Sequence, residues 1–289
     1  MRVLVGTSGW QYRDWRGVLY PAGVAQRRWL EHYSGQYATV ENNGSFYRLP
    51  SPQTFADWHA RTPAGFLMAV KASRYLTHVR RLQDPAEPVA RLLGAAAWLG
   101  DRLGPVLLQL PPNLAADPES LDQCLRAFGD WRADGQVAGG EVAGGEVAGG
   151  EVAAPARLTS GKSVRVAVEF RHESWWSEPV RDLLARRGAA ACWADRLGRP
   201  TGPLWRTADW GYLRLHEGTA QPHPRYGERA LQSWVRRITE AWPDGGEVFV
   251  YFNNDPGGAA VYDAATFASL AAGAGLGVSR TAEPGEPAP

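Results

Sequence analysis

The amino-acid sequence predicts an α/β fold: one TIM-type (β/α)8 barrel across residues 1–289, with its sixth helix degenerate. Three features support it. Eight short apolar runs recur along the chain, each ending in a polar or charged residue. Helical patterns with recognisable starts alternate with them, as in a parallel sheet covered by helices. Within a run the side chains alternate between two faces; one face stays apolar and the other turns polar only at its carboxyl end. In such barrels the carboxyl ends of the strands form the functional rim.

In chain order, the first run is Val3–Ser8. The second, Ala38–Asn43, sets Glu41 and Asn43 opposite Ala38 and Val40. Ser51 and Pro52 then read as the N-cap and first-turn proline of a helix carrying Phe55 and Trp58. In Phe66–Lys71 the lysine opposes Val70 and Met68, and Val89, Leu92, Leu93, Ala96 and Leu103 make the next helical stripe. Val106–Gln109 places Gln109 against Leu108 and Leu110, and Asp117-Pro118-Glu119 opens a helix with Leu121, Leu125 and Phe128 on one side. Val164–Arg171 sets Glu169 and Arg171 against Val166 and Val168, and Ala190–Asp195 sets Asp195 against Ala194 and Cys192. Arg196–Gly211 contains two prolines and three glycines and reads as a loop in place of a helix. Tyr212–His216 turns Arg214 and His216 away from Leu213 and Leu215. Leu231, Trp234, Val235, Ile238 and Trp242 give the cleanest 3.6-residue stripe. Val248–Asn253 closes the series, with Tyr251 and Asn253 opposite Val250 and Phe252.

Two segments stand outside this scheme. Val-Ala-Gly-Gly-Glu repeats three times from Val137 to Glu151, so residues 137–153 have almost nothing to bury and are expected to be a disordered surface insertion. Residues 280–289 are expected to be a flexible C-terminal tail.

Composition narrows the function classes. The formal net charge of +1 gives no global field toward nucleic acid or an anionic membrane. No apolar stretch approaches the ~20 residues needed to span a bilayer. With a strand-like run entered at Val3 no signal sequence is expected, and Cys124 and Cys192 suit buried thiols better than a disulfide framework. A cytoplasmic globular protein is expected. The 13 tryptophans are mostly core candidates, but Trp10, Trp15, Trp175 and Trp176 follow strands and can line a cleft.

The rim predicts the chemistry. Glu41, Glu169 and Asp195 are carboxylates at the ends of apolar strands, costly there unless paired or used. They are the candidate acid and base groups, with Lys71 and His216 placed to stabilise developing negative charge. Asn253-Asn254-Asp255-Pro256-Gly257-Gly258 leads into a helix near Ala259, so Gly257 and Gly258 could cradle an anion on backbone N–H groups, assisted by Arg171, Arg214 and Asn253. No cofactor is predicted. The alternative is a divalent metal on His78, His172 and His216 with Glu41, Glu169 and Asp195, although no paired-histidine spacing appears and two arginines lie close by. Ser8 reads as a turn residue, and no nucleophile-elbow, Walker or dinucleotide-binding sequence is present.

Ordered segments across nearly the whole chain resemble the domain-of-unknown-function 72 family, the YecE-like proteins. They are Gly6-Thr7-Ser8-Gly9-Trp10 with Tyr12, Trp15 and Tyr20-Pro21; Val40-Glu41-Asn42-Asn43 with Phe46-Tyr47 and Pro50; and Val70-Lys71-Ala72 with Thr77-His78. Further along come Leu108-Gln109-Leu110-Pro111-Pro112, Glu169-Phe170-Arg171-His172 with Trp175, Arg214-Leu215-His216, and Tyr251-Phe252-Asn253-Asn254-Asp255. The resemblance implies a TIM-like barrel and no assigned activity. Its segments add Trp10, Tyr12, Asn43, Tyr47, His78, Gln109, His172, Trp175, Tyr251 and Asn254 to the ligand-binding candidates. This chain departs from the family pattern at Gly44, at Glu217 beside His216, and in the repeat insertion. The expectation is an enzyme, a hydrolase or lyase, acting on a small anionic ligand such as a sugar phosphate or nucleotide fragment, away from membranes. The alternatives are a metal-dependent nuclease or isomerase, and a non-catalytic binder of nucleic acid or another ligand.

Overall fold

A computed structural model describes residues 1–131 and 164–284, so the pentapeptide repeat lies outside the described residues. Eight parallel strands form the barrel wall: β1 (Arg2–Thr7), β2 (Thr39–Asn42), β3 (Leu67–Lys71), β4 (Leu103–Gln109), β5 (Val166–Glu169), β6 (Ala190–Arg196), β8 (Gly211–Leu215) and β9 (Glu247–Phe252). The two-residue β7 (Arg199–Pro200) runs antiparallel to β6, and β10 (Gly277–Val278) adds to the base of β1. Ladders join the wall in the order β1-β9-β8-β6-β5-β4-β3-β2.

The seam between β2 and β1 is built differently. It has a single bridge, Ser8 to Glu41, and the Gly9 N–H donates to the Glu41 carbonyl at 2.8 Å. Below it the Tyr33 hydroxyl substitutes for a ladder, accepting from Thr7 N–H at 3.0 Å and donating to the Thr39 carbonyl at 3.1 Å. Gly6 is required here, because a Cβ would lie 2.4 Å from the Thr39 carbonyl oxygen.

The helices start where the sequence marks them. Ser51 caps α3 (Pro52–Ala60) by accepting from Thr54 N–H, and Asp117 caps α5 (Pro118–Asp130) through Ser120 N–H. The remaining helices are α1 (Trp29–Gln36), α2 (Gly44–Tyr47), α4 (Ala86–Ala96), α6 (Glu178–Arg187), α7 (Glu228–Ala241) and α8 (Ala259–Gly273). On α7 the stripe of Leu231, Trp234, Val235 and Ile238 is buried against the wall. No helix connects β6 to β8, in line with the degenerate sixth position. Leu103 leaves the stripe expected for α4: Gly100 (φ 53°) breaks the turn after that helix and Leu103 begins β4.

Apolar side chains form two layers. Outward residues such as Val3, Val40, Val106, Val168, Trp193 and Val250 pack under the helices. Inward residues Leu4, Ala69, Leu107, Ala167, Cys192, Tyr212, Phe249 and Tyr251 fill the lumen, so the barrel has a packed floor and its chemistry is confined to the rim. Both cysteines are buried free thiols, Cys124 on α5 and Cys192 in the lumen. The expected tail is held at its start: the Arg280 guanidinium donates to the carbonyls of Ser34 and Tyr37, and Ala282 is buried. Among the described residues no helix is long and apolar enough to cross a membrane.

Candidate functional site

Lumen parity, continued upward from the floor, brings Ser8, Glu41, Lys71, Gln109, Glu169, Arg171, Arg214, His216 and Asn253 to the carboxyl end of the barrel. The centre is a buried ion triad. Arg214 Nη2 donates to Glu41 Oε1 at 2.8 Å and Nη1 to Glu169 Oε2 at 2.6 Å, and all three side chains are at most 2% exposed. One guanidinium thus spans β2 and β5 from β8, a task suited to its fixed fork of donors. Register keeps the groups level, with Glu169 paired to Gln109 on β4 and Gln109 Oε1 accepting from Arg214 at 3.3 Å.

Neighbouring groups donate to the same two carboxylates. The Tyr212 hydroxyl donates to Glu41 Oε2 at 2.6 Å, and the Ser8 hydroxyl donates to Glu41 Oε1 while accepting from Asn43 Nδ2 at 2.6 Å. Glu169 Oε1 accepts from Arg171 at 3.0 Å and from His216 Nε2 at 3.1 Å. Because a carboxylate only accepts, the histidine proton is assigned to Nε2, and Nδ1 accepts from Asn253 Nδ2 at 3.0 Å. Burial works to raise both glutamate pKa values, but the guanidinium and these donors outweigh it. Glu41 is held below the usual carboxylate range and Glu169 well below it. Both are therefore ionised at neutral pH; neither is a proton donor.

Two groups differ. Lys71 is buried at the tip of β3 with its Nζ 4.5 Å from the Phe46 ring centroid, and burial, assisted by Arg214, pushes its ammonium down to about 8. Asp255, just beyond β9, has Oδ1 shut away from solvent, and burial, with the Glu41 charge, pushes its carboxyl up to about 7 against the lowering pull of the neighbouring Tyr12 hydroxyl and Arg214. Asn43 Oδ1 is buried without a partner.

Several nominated residues lie elsewhere. Asp195 shares parity with Trp193, not with the luminal Cys192 and Ala194, and faces the helix layer. There it accepts from the Tyr226 hydroxyl at 2.6 Å and Trp234 Nε1 at 2.7 Å, a structural anchor for α7 and the loop before it. Asn254 turns outward to Asp263 and the Pro224 carbonyl. The glycine cradle is covered: Gly257 N–H faces the Asp14 carboxylate at 3.4 Å, Gly258 N–H bonds Asp255 C=O, and the two Cα positions abut His223 and Val18. Trp175 is buried against Phe170 with its N–H on the Leu114 carbonyl, and Trp10 is buried edge-on to Trp58. His172 caps its own turn through Ser174 N–H, and Tyr251 lies in the floor, sharing a hydrogen bond with Thr39. Tyr12 donates to the Ser8 carbonyl, His78 packs edge-on to Phe46, and Tyr47, 82% exposed, edges the same ring. Glu217 pairs with Arg196.

The six residues considered for a metal do not converge; among the described residues no group of three or more His, Cys, Asp or Glu side chains is arranged to hold an ion. Sequence reasoning missed Ser8, Tyr212 and Asp255. Parity could have found the first two, since Ser8 follows Leu4 and Gly6 on one face and Tyr212 precedes Arg214 on another. Nothing local marks Asp255.

Residues 4–288 match the family described as "Protein of unknown function DUF72". The UPF0759 protein YunF of Bacillus subtilis is 24% identical over 89% of this chain and 90% of its own length. The UPF0759 protein YecE of Escherichia coli is 27% identical over 38% of each. Among solved structures, a family member from Thermotoga maritima superposes with a TM-score of 0.69 at 24% identity, covering 93% of this chain and 99% of that one. A member from Enterococcus faecalis gives 0.70 at 15% identity, covering 99% of both chains. At these identities the two structures establish the TIM-barrel-like fold, while the match over nearly the full length establishes kinship: the chain belongs to the DUF72 family.

Proposed function

We propose that the protein is a cytoplasmic enzyme, a lyase or hydrolase, that binds a small hydroxylated anion such as a sugar phosphate at the carboxyl end of the barrel. One observation carries it: a fully buried Glu41–Arg214–Glu169 triad stands at the rim beside Lys71, which has no carboxylate at ion-pair distance among the described residues. Buried ion pairs contribute little net stability compared with apolar packing, so three such charges in one lumen argue for use rather than support.

The roles follow from the bonds. Both ends of Arg214 are occupied by carboxylates, so anion binding passes to Lys71 and to the half-exposed Arg171. Asn43 Oδ1 is a buried acceptor without a protein partner, suited to a ligand hydroxyl. Ionised Glu41 and Glu169 are bases, and His216 is oriented between Glu169 and Asn253.

Calorimetric titration with ribose 5-phosphate and fructose 6-phosphate between pH 6 and 9 tests this. Binding should be pH-dependent and weakened at least tenfold in Lys71→Met, and Glu169→Gln should abolish turnover of the bound sugar. No pH-dependent binding by the wild type, with Glu169→Gln altering stability alone, would sink the proposal.

A further inference from the structure

We propose that Lys71 is a covalent catalytic residue: its Nζ condenses with an aldehyde or ketone carbonyl of the substrate to form a Schiff base. This rests on the reading of the rim as an anion site and adds the reacting group of the ligand.

Residue choice is the first support. Lys71 and Lys162 are the lysines of the sequence; every other strongly basic side chain is arginine. The chain thus meets its ordinary needs for positive charge with guanidinium, yet at the luminal tip of β3 it places an amine. Arginine holds its proton and gives a better fork for binding an anion; lysine can lose its proton and form a C=N bond. Geometry is the second support. Glu41 and Glu169 occupy the same lumen, but Arg214 engages both, so neither carboxylate locks the ammonium. The aromatic face of Phe46 lies against Nζ instead. The charged groups acting on Nζ are Glu41 from β2, Glu169 from β5, Arg214 from β8, and Arg171 just beyond β5; His78 lies after β3. Burial and the two guanidiniums favour the neutral amine, and the ammonium is pushed down to about 8.

The step balances. The neutral amine attacks the carbonyl carbon, forming the N–C bond, and one N–H proton moves to the oxygen. A second proton from solvent at the rim converts that hydroxyl to water, the C–O bond breaks, and an iminium cation remains on Nζ. The iminium withdraws electrons from the adjacent carbon, whose proton an ionised Glu41 or Glu169 can take. Open-chain sugar phosphates carry the carbonyl, the hydroxyls and the anion together.

The full-length protein is incubated separately with dihydroxyacetone phosphate, glyceraldehyde 3-phosphate and pyruvate, reduced with sodium borohydride, and examined by intact mass and peptide mapping. One reduced adduct per chain is expected, on the Lys71 peptide, with at least one probe. It should persist in Lys162→Arg and vanish in Lys71→Arg. No adduct with any probe, or equal labelling of Lys71, Lys162 and the N-terminal amine, overturns the proposal. Independently of folding in the variants, acetylation of wild-type Lys71 should rise with pH about a midpoint near 8, and an ordinary midpoint of about 10.4 would count against it. Calorimetry with inorganic phosphate separates the two levels. Phosphate binding without an adduct refutes the covalent step alone, and the loss of both refutes the anion site as well.

Discussion

Arg214→Met is the most informative perturbation, because it removes the one cation shared by two buried carboxylates. Methionine fills most of the volume, so the loss is electrostatic. Breaking a buried pair by deleting one partner costs about 3–5 kcal/mol, since the surviving charge is left in a poor dielectric. In a chain of this size each kcal/mol lowers the melting temperature by about 2 °C, so the variant should melt roughly 6–10 °C below wild type at pH 8. The deficit should depend on pH. In the wild type both glutamates are depressed, so their contribution is present above the unfolded carboxylate range and is lost as pH falls through the depressed values. Without Arg214 the largest influence opposing burial is gone, so both rise, against the remaining pull of Ser8, Tyr212 and Lys71 on Glu41 and of His216 and Arg171 on Glu169. The variant's deficit is then full above those raised values and shrinks as pH falls through them, since the carboxyls then fold as neutral acids. Adding Glu41→Gln and Glu169→Gln to Arg214→Met should restore most of the loss at pH 8. Differential scanning calorimetry from pH 8 to 5 decides it. A deficit under about 2 °C, or one constant with pH, would refute the view that Arg214 holds two buried anions.

Three further outcomes follow. Gly6→Ala should destabilise at the upper end of the ~1–3 kcal/mol overpacking range, seen as a fall in denaturant midpoint, because the new Cβ meets the Thr39 carbonyl at the closing seam. Asp195→Ala should cost about 1–3 kcal/mol for each buried side-chain donor it strands, Tyr226 OH and Trp234 N–H, and also frees the Gly198 N–H, while sugar-phosphate affinity stays within twofold of wild type. A tenfold loss of affinity there would return Asp195 to the site. Asp255 is raised in the folded state, so its contribution should improve wild-type stability as pH falls from 8 through about 7, and Asp255→Asn should flatten that slope in pH-dependent melts.

How far the site could be read from sequence depends on the strand. On β2, β3, β4, β5, β8 and β9 the polar tip belongs to the luminal parity, and Glu41, Lys71, Gln109, Glu169, Arg214 and Asn253 meet as the alternation implies. On β6 the same rule misplaces Asp195. Its two faces are both buried, the lumen taking small Ala190, Cys192 and Ala194 and the helix layer taking Trp193, so a polar tip does not reveal which face it belongs to. The bulk of Trp193 was the available signal, since large aromatics fit under helices. Gly257 and Gly258 fail for another reason: glycines before a helix are needed as much for close packing on His223 and Val18 as for holding an anion.

Taken alone, the sequence determined the barrel, its strand order along the chain, the missing sixth helix and the residue types at the rim. All of these follow from short-range alternation and capping, which each segment carries within itself. Only tertiary structure decided that Arg214 lies between Glu41 and Glu169, that Lys71 faces Phe46 with no carboxylate at ion-pair distance among the described residues, and that Asp255 is forced up toward neutrality. Those outcomes depend on distances between strands far apart in the chain and on the burial that closure imposes.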